Sequence, residues 1–222
     1  MSLEFGAFIE ISGCFRCPYN FESILSFIEQ SDIRIDANGA RYYKCDPNKA
    51  THDSLMNEEC ESLDSNSFNP IELRENVVAS IDIIFNNSIP GRIYTSFFDD
   101  SSYGISILLS EEDLEFGKYD TKFLSRLADI FFKVFRPMYG HIGVEASVWG
   151  LESLQNDFLR AENTFILDEF YHQKKDAFEL FARENGLIIR VIEGAGVIFE
   201  YGPNVVNGLY LNITNFISEV LR

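Results

Sequence analysis

The fold is decided by residues 120–138, DTKFLSRLADIFFKVFRPM. Apolar residues recur there at steps of three and four, which places them on one side of a helix with 3.6 residues per turn. They are Phe123, Leu127, Ile130, Phe131, Val134, Phe135 and Met138. Asp120 or Thr121 is predicted to cap the start of the helix, and Pro137 to end it because proline has no backbone N–H. This side of the helix must therefore be buried.

The opposite side of the same helix is polar. It carries Ser125, Arg126, Asp129, Lys133 and Arg136. Asp129 precedes Lys133 by four residues, the order in which an acidic and a basic side chain support an exposed helix. We therefore expect this side to face water.

Runs on either side of this helix alternate apolar and polar residues, which is the period of a half-buried strand. Three of them precede it: SIDIIFNN from Ser80, RIYTSFF from Arg92 and GISILLS from Gly104. The Pro, Gly, Asp and Ser residues between them suit chain reversals. A fourth strand, from Tyr139, follows the helix. This order predicts an α+β fold, an antiparallel meander sheet with helices packed on one face.

Residues 1–45 predict an N-terminal strand–helix–hairpin unit. Its elements are a strand over residues 5–11 that Gly13 breaks, a helix over 21–30 and a hairpin over 33–44 that turns at Asn38-Gly39. Because a unit of 45 residues buries too little apolar area to be stable alone, we expect it to share one continuous structure with the rest of the chain.

Residues 46–70 are rich in Asp, Asn, Ser and Glu, and predict a polar loop or linker. The main α+β unit then covers residues 71–222. Its second half predicts helices over 151–161 and 167–184, a hairpin over 187–201, a strand over 209–213 and a helix over 215–222.

The charge of the chain limits its partners. It has 222 residues, with 35 acidic and 18 basic side chains and a formal net charge of -17. Such a charge repels nucleic acids and favours basic proteins. The N-terminus lacks the basic start of a signal peptide, and no stretch reaches the ~18 apolar residues that cross a bilayer. We therefore expect a cytoplasmic protein with no nucleic-acid or membrane partner.

The four cysteines lie in the first third of the chain. Cys14 and Cys17 have the two-residue gap of a zinc-binding or redox pair, but 14 residues separate Cys45 from Cys60, so a second close pair is missing. Reduced cysteines are the preferred interpretation, with a zinc site and a thioredoxin-like pair as alternatives. No metal or cofactor is predicted.

No catalytic residue is predicted, because the chain lacks a GxSxG elbow, an HExxH pair and a phosphate-binding loop with its lysine. His141 and Glu145 share one side of a predicted strand, although such a pair is more often structural than catalytic. Together with Tyr139 and Trp149, they support an alternative function, an enzyme or small-ligand binder with an aromatic pocket.

Acidic residues flank the predicted strand that begins near Gly104, and Tyr103 beside it is a suitable aromatic anchor. A strand of five or six residues would place the two acidic clusters about 17–20 Å apart. The predicted partner-binding residues are Asp99, Asp100, Tyr103, Glu111, Glu112, Asp113 and Glu115.

These features favour a non-enzymatic acidic binding protein. By analogy of class, it is a bacterial toxin-neutralising, immunity-type protein that occludes a basic effector, since charge attraction speeds such encounters. Besides the enzyme or ligand binder, a second alternative is a structural subunit of a larger assembly, in which the 21 phenylalanines bury an interface.

Overall fold

The computed structural model describes residues 8–16, 21–44, 61–63, 77–85, 88–97, 102–115, 117–144 and 163–201. These residues form a ten-stranded sheet and five helices. The strands are β1 (Phe8–Phe15), β2 (Ile33–Lys44), β3 (Glu61–Leu63), β4 (Val77–Phe85), β5 (Ile89–Phe97), β6 (Tyr103–Ser110), β7 (Tyr139–Val144), β8 (Asn163–Leu167), β9 (Leu187–Ile192) and β10 (Gly196–Tyr201). The helices are α1 (Phe21–Gln30), α2 (Glu111–Glu115), α3 (Thr121–Phe135), α4 (Asp168–Gln173) and α5 (Lys175–Glu184).

The strands lie in the order β3-β2-β4-β5-β6-β1-β7-β8-β10-β9, and every neighbouring pair is antiparallel. The predicted mixture of antiparallel sheet and helices is therefore confirmed. The predicted meander corresponds to β4, β5 and β6, and the hairpin to β9 and β10. β1 lies between β6 and β7, so the first described strand is in the interior of the sheet.

Two apolar clusters cover opposite faces of this sheet. Ile9 and Ile11 of β1 belong to the first cluster with residues of α1 and α3, whereas Cys14 of β1 belongs to the second with residues of α4 and α5. Because successive strand residues point to opposite faces, the odd and even positions of β1 are on different sides. The predicted arrangement of all helices on one face is not confirmed.

The start of α3 forms as its sequence predicts. Asp120 is the N-cap, and its Oδ1 accepts a hydrogen bond of 2.8 Å from the backbone N–H of Phe123. At the other end Arg136 adopts the left-handed conformation, with φ 50° and ψ 53°, and its N–H donates to the carbonyl of Phe132. The helix therefore ends just before Pro137.

The buried side of α3 is rotated from the predicted one. Leu127, Phe131 and Phe135 are buried as expected, but Phe123, Ile130 and Val134 are only partly buried. Leu124, Ala128 and Phe132 complete the buried side instead. The centre of the apolar contact is thus displaced toward Leu124 and Ala128.

Two glycines allow α3 to lie close to the sheet. Gly13 of β1 and Gly140 of β7 are directly opposite each other in the register. A Cβ atom on Gly13 would meet the ring of Phe131 at 3.2 Å and that of Pro137 at 2.7 Å. The predicted break of β1 at Gly13 is therefore wrong, because the residue continues the strand and leaves space for the helix.

Replacing Gly140 with alanine is expected to lower the free energy of unfolding by about 1–3 kcal/mol, the usual cost of overfilling a packed core. The added Cβ would overlap the backbone oxygen of Ser12 and lie 2.6 Å from Cε1 of Phe132. Urea unfolding measures the effect. Gly117→Ala is the control. No atom lies within 4 Å of its new Cβ, so this variant has only the backbone strain of a φ of 70° and no packing clash. Equal losses in the two variants would contradict this packing.

Two other predicted elements differ from the structure. Residues 33–44 form the single strand β2 with a shift of register between Ile35 and Ala40, so the predicted hairpin at Asn38-Gly39 is wrong. The predicted helix over 167–184 is divided into α4 and α5 at Lys174, and Leu167 ends β8, a strand that the sequence did not predict. Pairing with other strands replaced the local pattern in β2 and at Leu167, whereas Lys174 is a turn between two helices.

The proposed division of the chain at residues 45 and 71 stays a prediction. β3 lies within the predicted linker and pairs with β2. The strand predicted over 209–213 and the helices predicted over 151–161 and 215–222 lie outside the described residues.

Candidate functional site

The predicted partner-binding residues that the structure describes centre on α2. This helix follows β6 directly, and the acidic side chains in its first turn favour a helix start because they meet the positive end of its dipole. Leu114 packs against the first cluster, and the Tyr119 hydroxyl donates a hydrogen bond of 2.6 Å to the carbonyl of Ser110. α2 is thus held against the end of β6.

The four acidic residues of α2 differ in exposure. Glu112 and Glu115 are exposed and Glu111 is partly buried, whereas Asp113 is 6% exposed and forms an ion pair with Lys118. Asp113 therefore stabilises the local structure. We call Glu111, Glu112 and Glu115 the acidic corner.

The hydroxyl of Tyr119 is in a negative electrostatic environment. Its pKa is raised far above the ordinary value, first by burial and then by the charges of Asp113 and Glu111. Both contributions oppose the formation of a phenolate. Asp113 and Glu111 therefore place negative charge near this hydroxyl.

The remaining predicted partner-binding residues are not brought to this corner. Tyr103 begins β6, whose eight residues span about 23 Å, and it packs partly buried against the first cluster. This strand is longer than the five or six residues expected. Asp99 and Asp100 lie outside the described residues, so the structure places only one of the two predicted acidic clusters.

The solvent side of α3 carries the opposite charge. Lys122, Arg126, Lys133 and Arg136 are all exposed. We call these four residues the basic face. The sequence showed that most of them are on the polar side of the helix, but it gave no reason to treat them as a binding surface.

An ion-pair network accounts for the acidic residue within this helix. Arg190 of β9 donates a hydrogen bond of 2.7 Å to Asp129 Oδ1 and also pairs with Glu200 of β10. Burial lowers the pKa of Arg190, but the hydrogen bonds and charges of Asp129 and Glu200 together outweigh it, so the pKa is raised. The ion pair between Asp129 and Arg190 therefore links α3 to β9 at the edge of the sheet.

A row of buried polar side chains crosses the sheet on the face opposite α3. In the register, Ser12 is opposite Ser106 and His141, and His141 is opposite Thr164. Each of the four is at most 7% exposed. The sequence identified His141 but missed the row, because only strand order brings these residues together.

His141 is neutral at physiological pH. It is 1% exposed, and burial lowers its pKa to about 3. Its Nδ1 lies 3.3 Å from Thr164 Oγ1, whereas its Nε2 has no hydrogen-bond partner among the described residues. The Tyr139 ring is 5.5 Å away. Glu145 and Trp149, the other residues of the predicted pocket, lie outside the described ranges.

The structure does not test the preferred interpretation of reduced cysteines, or the zinc site and the redox pair that were its alternatives. Cys14 is buried in the second cluster, while Cys17, Cys45 and Cys60 lie outside the described residues. Within the described ranges, no group of three or more His, Cys, Asp or Glu side chains is arranged to hold a metal ion. Likewise, none of the helices described is both long enough and apolar enough to span a membrane.

Comparison with known proteins adds no relative. No protein-family model, curated protein or solved structure matches this chain.

Proposed function

We propose that the chain is a non-enzymatic acidic protein that binds a basic protein partner, in the manner of a bacterial toxin-neutralising protein. The observation that carries the proposal is the acidic corner, a fixed set of carboxylates at the end of β6 in a chain of net charge -17. Charge of one sign collected at one place attracts a basic protein at long range.

The corner is suited to this role because it is held in place before binding. Leu114 packs on the core, Asp113 pairs with Lys118, and Tyr119 hydrogen-bonds the end of β6. Little backbone freedom of α2 is then lost when a partner docks. Tyr103 lies at the far end of β6, so a partner that contacts both would extend along the strand.

Electrostatic attraction of this kind acts mainly on the rate of association. Exposed charges are screened over about 10 Å at 0.1 M salt, so the rate must fall as salt is added. Asp113 is excluded from the docking charges, because replacing it would leave Lys118 without its partner and disturb α2.

The triple variant Glu111→Gln/Glu112→Gln/Glu115→Gln is expected to slow association with the basic partner about tenfold at low salt, with little change in dissociation. The partner is first captured from a lysate of the source organism at low salt, identified by mass spectrometry and purified. Association rates are then measured by surface plasmon resonance at several salt concentrations, and thermal unfolding confirms that the variant is folded.

The matched control is Glu169→Gln/Glu184→Gln/Glu193→Gln, which removes the same charge from exposed sites. These sites are on α4, α5 and the turn after β9, and four strands separate β6 from β9, about 24 Å in all. The control should associate nearly as fast as the native chain. If both variants slow equally, or neither slows, the acidic corner is not the docking site.

A further inference from the structure

The last strand of the described sheet, β9, has an apolar outer edge. Its sequence is LIIRVI, and among the described residues β10 is the only strand that pairs with it. Ile188 is 58% exposed and Val191 69%, the two highest values among the large apolar side chains that the structure describes. Proteins commonly protect such an edge with lysine, proline or a bulge. Arg190, the one charged residue of β9, is held by ion pairs to α3 and β10 and does not protect the edge.

The two exposed side chains of β9 lie on opposite faces of the sheet. Ile192 belongs to the apolar cluster that α3 covers, whereas Leu187 and Ile189 belong to the cluster of α4 and α5. Because successive residues of a strand alternate between faces, Ile188 is on the α3 side and Val191 on the α5 side. One strand added to this edge would cover both side chains, whereas a helix laid on either face would cover only one.

A second copy of β9 is suited to be the added strand, because its own sequence is apolar on both faces. With a two-fold axis perpendicular to the sheet at Ile189, the two strands are antiparallel and each residue meets one on the same face. Val191 of one copy is then opposite Leu187 of the other, and Ile188 is opposite Arg190. An axis at Arg190 would instead place two guanidinium groups opposite each other, which is destabilising. The register about Ile189 therefore fits best.

We propose that two copies of this chain associate through β9, in an antiparallel contact about Ile189 that joins their sheets. The outward N–H and C=O groups of an edge strand belong to alternate residues, and this register brings those of one copy to those of the other. The contact is therefore formed by backbone hydrogen bonds and by burial of apolar side chains. It does not depend on the proposed function, because four strands separate β9 from β6 and its acidic corner.

Salt is expected to strengthen this dimer. The net charge of -17 makes two copies repel each other, and this repulsion opposes the contact. The screening length falls from about 30 Å at 0.01 M salt to about 3 Å at 1 M, so added salt removes the repulsion. Binding of a basic partner at the acidic corner has the opposite dependence on salt.

Sedimentation equilibrium over a range of protein concentrations is the measurement. At about 0.5 M sodium chloride the native chain should approach twice its mass of 25.4 kDa, and at about 0.02 M it should shift toward the monomer. Val191→Lys should raise the dissociation constant of the dimer about tenfold or more, because it places an ammonium group against an apolar side chain. Ile188→Lys should do the same, because it places a positive charge opposite Arg190.

Leu25→Lys is the matched control. It makes the same chemical change at an exposed apolar residue, 38% exposed and on α1, and alters the net charge by the same amount. This variant should dimerise like the native chain. Both lysine variants of β9 reduce the negative charge of the protein, so a loss of dimer in them cannot come from greater repulsion between copies. Circular dichroism checks that each variant is folded.

Three results would overturn the proposal: a native chain that stays monomeric in the higher salt, a dimer that survives both β9 variants, or equal losses in Val191→Lys and Leu25→Lys. A monomer whose β9 amides resist hydrogen exchange would also overturn it, because another part of the same chain would then cover the edge. Val191→Lys leaves the acidic corner intact and should still bind the basic partner at low salt, so failure of the dimer is distinguishable from failure of the proposed function.

Discussion

Replacing Phe132 with alanine is expected to lower the free energy of unfolding by about 3–5 kcal/mol, the range for removing a fully buried aromatic ring. Phe132 is 0% exposed and stacks on Phe165 of β8 with ring centroids 4.2 Å apart and planes 3° from parallel. It also packs edge to face on Phe131 at 5.3 Å. Its removal would leave a cavity between α3 and the sheet. Urea unfolding followed by circular dichroism measures the loss.

Val134→Ala is the informative comparison, because the sequence assigned Val134 to the buried side of the helix and Phe132 to neither side. Val134 is partly buried, so its truncation is expected to cost about 1 kcal/mol, an ordinary value for a single substitution. Equal losses at the two positions would show that the rotated face of α3 is wrong.

Lowering the pH from 7 to 5 is expected to cost about 2 kcal/mol of stability through His141 alone. Its pKa is about 3 in the folded protein and near 6.5 when unfolded, so between these values only the unfolded chain binds the proton. Stability from this group is therefore complete above pH 6.5 and falls with decreasing pH, by about 1.4 kcal/mol per unit and about 5 kcal/mol in total. Urea unfolding at each pH gives the slope.

His141→Gln should remove this part of the pH dependence, whatever its effect on stability at pH 7. His172 is the control position, since its side chain is 66% exposed and pairs with Asp168 at 3.3 Å on the surface of α4. The slope of His172→Gln is measured in the same way, as the comparison variant that removes a histidine from the surface. A native slope that survives His141→Gln would mean that other groups cause it.

Local patterns predicted the elements whose formation depends on local spacing. The α3 helix begins at its predicted cap, and β4, β5 and β6 occur in the predicted order, because period and turn residues are properties of a short segment. The rotation of α3 has a different origin. Phe132 is buried because Gly140 of β7 and Phe165 of β8, which belong to other elements, form the surface beneath it.

Contacts with other strands and helices, which local patterns do not show, also explain the wrong predictions in the first 45 residues. Gly13 resembles a strand break when considered alone, but in the sheet it supplies the space that Phe131 and Pro137 occupy. Asn38-Gly39 resembles a tight turn, but residues on both sides of it pair with β4 and form a single strand. Tertiary pairing overrode the local preference in both places.

For the candidate site, the sequence showed where the charged residues are, but not which of them are exposed and which are buried in ion pairs. It identified all four acidic residues of α2, yet only the fold shows that Asp113 is buried against Lys118. It noted the polar side of α3 without recognising its excess of positive charge. Neighbouring positions along the chain revealed the clusters, whereas exposure and pairing required the three-dimensional arrangement.

The position of β1 has a consequence for how the protein is made. Phe8 pairs with Ser110 and Ile9 with Val144, so both partners of the first strand are synthesised long after it. At 5–20 residues per second, a ribosome needs roughly 5–20 seconds to make the residues between β1 and the end of β6. Until β6 and β7 are made, this apolar strand lacks both of its neighbours in the sheet, so its hydrophobic side chains stay exposed to other surfaces.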